Sequence, residues 1–137
     1  MDSVRWKNLK RLIKPQSVAI IGASSNPNKT SGRPLKYLRK DGFHGKIWPV
    51  NPGRAQIEGT PCFNTIRDLP GTPDVGVIML GPKATQAAVA ELSETGCGAA
   101  LVVGSGYAEI GSEGKEIQED LVRYSGDMRL LGPNTIG

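Results

Sequence analysis

The residues with the most to offer chemically lie close to the start of the chain. The apolar run Val18-Ala-Ile-Ile21 stops at Gly22, and Ala-Ser-Ser-Asn-Pro-Asn-Lys-Thr-Ser follows before a helical pattern opens at Gly32-Arg33. A β-branched run, a Gly/Pro/Asn-rich loop and a helix read as a strand–loop–helix junction. Such a junction aims free main-chain N–H groups and a helix N-terminus at one place, and phosphate oxygens suit that place. A side chain added at Gly22 is expected to fill the space a phosphate needs.

Other chemistry is thinly represented. Cys62 and Cys97 have neither a metal-ligand spacing nor a disulfide framework, and both read as buried or half-buried thiols. The one histidine, His44, sits in a turn, and no nucleophile–base pair stands out. The net charge of +4 suits an anionic ligand. Nucleic acid is not expected, because the cations are scattered and aromatic residues make up only 5% of the chain, too few for a stacking platform.

The glycine pattern also argues against a nicotinamide dinucleotide. Ser24 and Pro27 stand where a Gly-x-Gly-x-x-Gly fingerprint needs its second and third glycines. The second strand ends in Val50-Asn51-Pro52, with Arg54 beyond, so no carboxylate is placed to accept from a ribose diol. A neutral amide, a ring and a cation suit a ribose that carries phosphate. NADP would meet part of that demand, but the broken glycine pattern counts against it.

These residues need a scaffold, and the sequence supplies a strand–helix rhythm. An amphipathic helix is expected over Val4 to Lys14, with Arg5, Lys7, Lys10 and Arg11 outside, ended by Pro15. Strands are expected at Ser17 to Ile21, Lys46 to Val50, Asp74 to Leu80, Gly98 to Val103 and Met128 to Leu131. Pro49 places the second of these nearer a sheet edge than the first. Helices fill residues 32–40, 82–95 and the stretch after Ser112, which is expected to cap the last one. Ala87, Ala88, Val89 and Leu92 should face inward on the third helix, and Ile117, Leu121, Val122 and Tyr124 on the fourth. Residues 57–62 read as an irregular excursion and Thr65 to Leu69 as a short helical turn.

At 137 residues this is one domain of the α/β class: a Rossmann-like open parallel sheet of about five strands, order 3-2-1-4-5, with helices on both faces. Ligands of such sheets lie beyond the carboxyl ends of the strands, where strand order reverses. No apolar run approaches the ~20 residues of a membrane span. The N-terminus lacks a signal-peptide core, so a cytoplasmic protein with no membrane partner is expected.

Five motifs in this order and spacing carry a family resemblance. They are Val18-Ala-Ile-Ile-Gly-Ala-Ser with Asn26-Pro-Asn-Lys29 and Gly32; Gly42-Phe-x-Gly-Lys-Ile47; Val50-Asn51-Pro52; Gly106-Tyr-Ala-Glu109; and Leu131-Gly-Pro-Asn134. From Leu9 to Gly137 the chain resembles the N-terminal CoA-binding domain of the NDP-forming (ADP-forming) acyl-CoA synthetases. That superfamily includes the α subunit of succinyl-CoA synthetase. The resemblance implies that coenzyme A lies extended across the carboxyl edge of the sheet. Gly22, Ala23, Ser24 and Ser25 would then approach its phosphates, with Gly32 opening the helix behind them and Lys29 and Arg33 adding charge. Val50, Asn51 and Pro52 would line the adenine–ribose end. Arg54 falls where the succinate branch carries a CoA-binding lysine, and Ser105, Gly106 and Glu109 would hold the ligand's other arm. Pro82 would start a helix and touch ligand only secondarily.

The resemblance further implies an acid–thiol ligase in which acid, CoA and ATP give acyl-CoA, ADP and phosphate. Its acyl-phosphate and phosphohistidine intermediates involve a later domain. His44 lies at a variable position, so no catalytic or metal-binding residue is expected here. ATP, ADP and Mg2+ would act only through further domains of the same polypeptide, and residues 1–137 would bind CoA or acyl-CoA without turnover. The resemblance leaves open a homo-oligomeric full-length protein. Thr135 stands where many members have cysteine. Three other readings stay open: the CoA-binding region of a protein acetyltransferase fused to a ligase-like module, a stand-alone CoA-binding module, and an NAD(P)-binding oxidoreductase domain.

Overall fold

A computed structural model describes residues 3–23, 32–103 and 111–132. Among the described residues are four α-helices and seven strands: α1 (Ser3–Ile13), β1 (Ser17–Ile21), α2 (Arg33–Lys40), β2 (Lys46–Val50), β3 (Gln56–Ile57), β4 (Thr60–Pro61), β5 (Val75–Ile78), α3 (Pro82–Thr95), β6 (Ala99–Val102), α4 (Ser112–Ser125) and β7 (Arg129–Leu131). Five strands make one parallel sheet in the order β2-β1-β5-β6-β7, with Val18 opposite both Ile47 and Val75. The α/β class and the five-stranded parallel sheet are as expected from the sequence.

The strand order is not. Counting the five long strands in chain order, the sheet reads 2-1-3-4-5 and not 3-2-1-4-5. The cause lies at the outer edge of β2. Phe63 N–H donates to Pro49 O at 2.9 Å, and Asn51 N–H donates to Phe63 O at 2.9 Å, so the chain after β2 seats itself on that edge. Because the Pro49 carbonyl faces outward, the N–H it lacks would have faced outward as well, and no full strand can pair there. β5 therefore crosses to the free side of β1. The reversal point falls between β1 and β5, which brings the loops after those two strands together.

Residues 57–62 are also more regular than expected. β3 and β4 pair antiparallel around Glu58 and Gly59, both at positive φ (+49° and +83°), as a tight two-residue hairpin requires. Ile57 is fully buried and anchors this hairpin in the core. Thr65 to Leu69 bracket a single 3-10 turn, Ile66–Asp68.

Side chains alternate across the sheet. Ala19, Ile21, Ile78, Ala100 and Val102 pack under Ala88, Val89 and Leu92 of α3 and Leu121 of α4. Val18, Ile20, Val75 and Ala99 pack on the opposite face under Leu35 of α2, with Leu12 of α1 beside them. Three helix readings need correction. Ala87, Val122 and Tyr124 are exposed, not inward. On α4 the buried stripe is Gly114, Leu121 and Ser125, whose small members let the Ser93 hydroxyl of α3 donate to Ser125 O at 3.0 Å. Ser112 is the first helical residue and not the cap, because Gly111 O already accepts from Lys115 N–H.

Arg11 was expected outside and instead turns inward. Its guanidinium donates to Asp74 Oδ1 (2.7 Å), Gly96 O (2.8 Å) and Pro73 O (3.0 Å). Asp74 Oδ2 accepts from Gln16 N–H at 2.8 Å, and Asn8 Nδ2 donates to Asp127 O at 2.9 Å. Thus α1 is fastened to the amino ends of the strands by polar groups. Gly98 makes room for this, since a Cβ there would lie 3.0 Å from the Arg11 side chain.

Candidate functional site

The carboxyl ends of β1, β2 and β5 converge on Gly22. Its N–H donates to Val50 O at 2.9 Å, and Met79 N–H donates to Ile21 O at 2.9 Å, so the junction is tied to both neighbouring strands. Gly22 has φ +88°, a conformation costly for residues with a side chain. A Cβ there would lie 2.7 Å from Met79 O and 2.8 Å from Leu80 Cδ2. This corrects the expectation that a side chain would take up only ligand space: it would strike the protein's own main chain first.

Asn51 explains why β2 ends without a carboxylate. Its Nδ2 donates to Ala23 O at 2.7 Å, fastening the loop after β2 to the loop after β1. An aspartate cannot donate, and its charge would face a carbonyl oxygen. Asn51→Asp is expected to weaken ligand binding about ten-fold and to lower stability by about 1–3 kcal/mol, read by calorimetry and urea unfolding.

Between these loops and α3 lies a cleft of about 260 Å³. Gly22, Val50 and Pro52 line it together with Leu80, Ala84 and Ala87. Its walls are mostly apolar, and Glu91 stands among them. In the first turn of α3 Thr85 N–H donates to Gly81 O and the Thr85 hydroxyl to Leu80 O, while the main-chain N–H groups of Lys83 and Ala84 have no partner among the described residues. Pro82 opens the helix and does not line the cleft, but Ala84 and Ala87 do. A second, open hollow of about 460 Å³ is lined by Arg54, Cys62, Phe63 and Asp68, and Asn64 lines both hollows.

Of the expected site residues, Gly22, Val50, Pro52 and Arg54 thus face these two hollows, while Ala23 and Asn51 hold the loops in register. Gly32 is buried just before α2, and Arg33 is exposed on its first turn. Ser24, Ser25, Lys29, Ser105, Gly106 and Glu109 lie outside the described residues. Sequence reasoning missed Leu80, Asn64, Ala84 and Glu91. The small residues at 84, 87 and 88 were the available signal, since alanines three and four apart leave one helix face shallow.

Among the described residues of this site neither thiol is an activated nucleophile. Burial pushes the Cys97 thiol up to about 11 and also raises Cys62, so both are neutral near pH 7. Among the described residues no group of His, Cys, Asp or Glu could hold a metal ion, and no helix is long and apolar enough to cross a membrane. The described part of the site is a small, mostly apolar cleft at the carboxyl edge of the sheet.

Comparison with known proteins identifies what the chain is similar to. A profile described as "CoA binding domain" matches residues 16–137. Acetate–CoA ligase [ADP-forming] II of Archaeoglobus fulgidus is 35% identical over 132 residues, covering 95% of this chain and 20% of that protein. The α subunit of acetate–CoA ligase [ADP-forming] I of Pyrococcus furiosus is 35% identical, covering 95% of this chain and 29% of that subunit. The solved apo structure of a dinucleotide-forming acetyl-coenzyme A synthetase 1 from Ca. Korarchaeum cryptofilum superposes with a TM-score of 0.88 at 35% identity, over 94% of this chain and 28% of that one. The chain therefore spans less than a third of the length of each of these proteins.

Proposed function

The chain belongs to the CoA binding domain family of the ADP-forming acyl-CoA synthetases, and from that premise we propose that it serves as the coenzyme A berth of such a ligase. The whole enzyme would join a carboxylic acid to CoA at the expense of ATP, releasing ADP and phosphate. Further modules, of the kind that make up the rest of the relatives, would supply the nucleotide, Mg2+ and the phosphorylated histidine. In this reading residues 1–137 bind and orient, and they do not turn over. The observation that carries it is the pinned junction, with Gly22 N–H bonded to Val50 O, Ile21 O bonded to Met79 N–H and the Asn51 amide holding Ala23.

Each part of the site then has a task. The main-chain amides after β1 and at the start of α3 receive phosphate oxygens. The apolar cleft under Pro52, Leu80 and Ala87 takes a ring, and the Arg54 guanidinium faces the phosphorylated ribose.

Calorimetry with CoA, 3′-dephospho-CoA and NADP tests the reading on the 137-residue chain. CoA should bind and NADP should not; NADP binding without any response to CoA would overturn it. Arg54→Ala should cost about 1–3 kcal/mol against CoA and much less against 3′-dephospho-CoA, because only the former presents a phosphate to that cation. Equal losses would place Arg54 elsewhere. The ligase activity itself is read on the full-length protein, as ADP released in the presence of acid, CoA and ATP.

A further inference from the structure

One stripe of α3 faces the cleft at the carboxyl edge. Ala84, Ala87, Ala88 and Glu91 all line it, and a spacing of i, i+3, i+4 and i+7 puts them on one side of the helix. Three are alanines, so the stripe is shallow until Glu91, where a long side chain rises from it. Among the described residues lining the cleft Glu91 is the only one that carries charge, and Asn64 and Thr65 are the other polar side chains. The Thr65 hydroxyl is already committed, donating to Asp68 Oδ2 at 3.0 Å.

The Glu91 carboxylate is held in place. Arg67 Nε donates to Glu91 Oε1 at 3.1 Å and Arg67 Nη2 to Glu94 Oε2 at 3.1 Å, so one guanidinium straps two acids a turn apart. The Glu94 side chain is 67% exposed and that of Glu91 only 28%. Neither Arg67 nor Glu94 lines the cleft. Among the described residues nothing donates to Glu91 Oε2.

The two ends of the cleft therefore differ electrically. At one end stand the Lys83 and Ala84 N–H groups and the positive end of the α3 dipole. At the other, about 10 Å along the helix axis from Ala84, stands a group that only accepts hydrogen bonds. A phosphate is drawn to the first end and repelled from the second, and a group bearing N–H behaves in the opposite way. A nucleoside phosphate laid along this stripe has one favourable direction, with its base toward Glu91.

We propose that Glu91 reads the base of the ligand: its Oε2 accepts from the exocyclic amino group of adenine, which makes the berth specific for an amino-bearing purine and sets the direction in which the ligand lies. The inference rests on the coenzyme A reading above and adds to it the residue that tells adenine from its 6-oxo counterpart. With Oε1 taken by Arg67, one oxygen is left, which matches the single amino group of adenine. Guanine presents N1–H and N2–H side by side and calls for both oxygens. A 6-oxo purine would set its carbonyl oxygen against the carboxylate with no proton between them, and a site built around a hydrogen bond rejects a ligand that cannot make it.

The test is calorimetry on the 137-residue chain with CoA and with deamino-CoA, in which hypoxanthine replaces adenine. The unaltered chain should bind CoA about ten-fold or more tightly than deamino-CoA. Glu91→Gln should bring that ratio to about two-fold or less, because an amide can turn to offer the base either an N–H or an oxygen. Its unfolding midpoint should hold, since the glutamine oxygen still accepts from Arg67. Glu94→Gln is the control: it touches the same guanidinium but not the cleft, and the ratio should stay at the unaltered value. Equal binding of the two ligands by the unaltered chain, a ratio that survives Glu91→Gln, or an equal fall in Glu94→Gln would overturn the proposal and leave the CoA berth standing. Absence of any CoA binding by the unaltered chain would remove the berth and this inference with it.

Discussion

Gly22→Val should abolish CoA binding and also lower stability by about 2–4 kcal/mol, the sum of a left-handed main-chain conformation forced on a β-branched residue and a collision that cannot relax. The collision is with the Met79 carbonyl, 2.7 Å from a Cβ at this position, and so with the main chain of the neighbouring strand's loop. Gly22→Ala keeps both faults and drops only the branched methyls, so it should lose most of the same stability. Urea unfolding gives the stability and calorimetry gives the affinity. A Gly22→Val protein that unfolds at the wild-type midpoint would show that β1 and β5 part at this point with ease. One that also retained CoA would move the berth away from the junction.

The second large effect lies at the opposite end of the sheet. Arg11→Ala strips a donor from Asp74 Oδ1, Gly96 O, Pro73 O and Asn8 Oδ1 at once, leaving a part-buried carboxylate with the Gln16 N–H as its one donor among the described residues. The side chains of Arg11 and Asp74 are 27% and 20% exposed, so the full cost of a buried pair is discounted for solvent. A loss of about 2–4 kcal/mol is expected, larger than for Asp74→Ala, where the guanidinium keeps its acceptors Gly96 O, Pro73 O and Asn8 Oδ1. Hydrogen exchange should speed up throughout α1. CoA affinity should hold, because these residues sit at the amino ends of the strands; a parallel loss of affinity would mean that α1 reaches the berth.

Much of this was legible in the residues themselves. The apolar stretches at 17–21, 46–50 and 99–102 read as strands of a covered parallel sheet, and the structure places strands there. Strand order was not legible that way. It turned on Phe63, one residue in an irregular stretch, occupying the β2 edge that Pro49 had already spoiled for pairing. The pointer to an edge position was correct, but nothing local said that β5 would cross to the far side of β1. Arg11 was misread because a cation on an amphipathic helix is usually solvated, and its partner Asp74 lies 63 residues on. Ala87 was misassigned for the complementary reason. A small apolar side chain fits a core stripe as well as a ligand cleft, and only the presence of Gly22 and Pro52 across the gap distinguishes them. Asn51 was legible as a neutral group but not as a fastener, since its acceptor Ala23 O belongs to another loop.

The Phe63 seat has one more effect, on how copies of this fold meet one another. Exposed strand edges invite pairing between molecules, which leads to fibres and aggregates. By occupying the rim of β2 with its own chain, the domain closes one of the two ends at which its sheet could lengthen. Among the described residues β7 pairs only with β6, so in that part of the chain the rim of the sheet that takes no further backbone partner lies at the end away from β2.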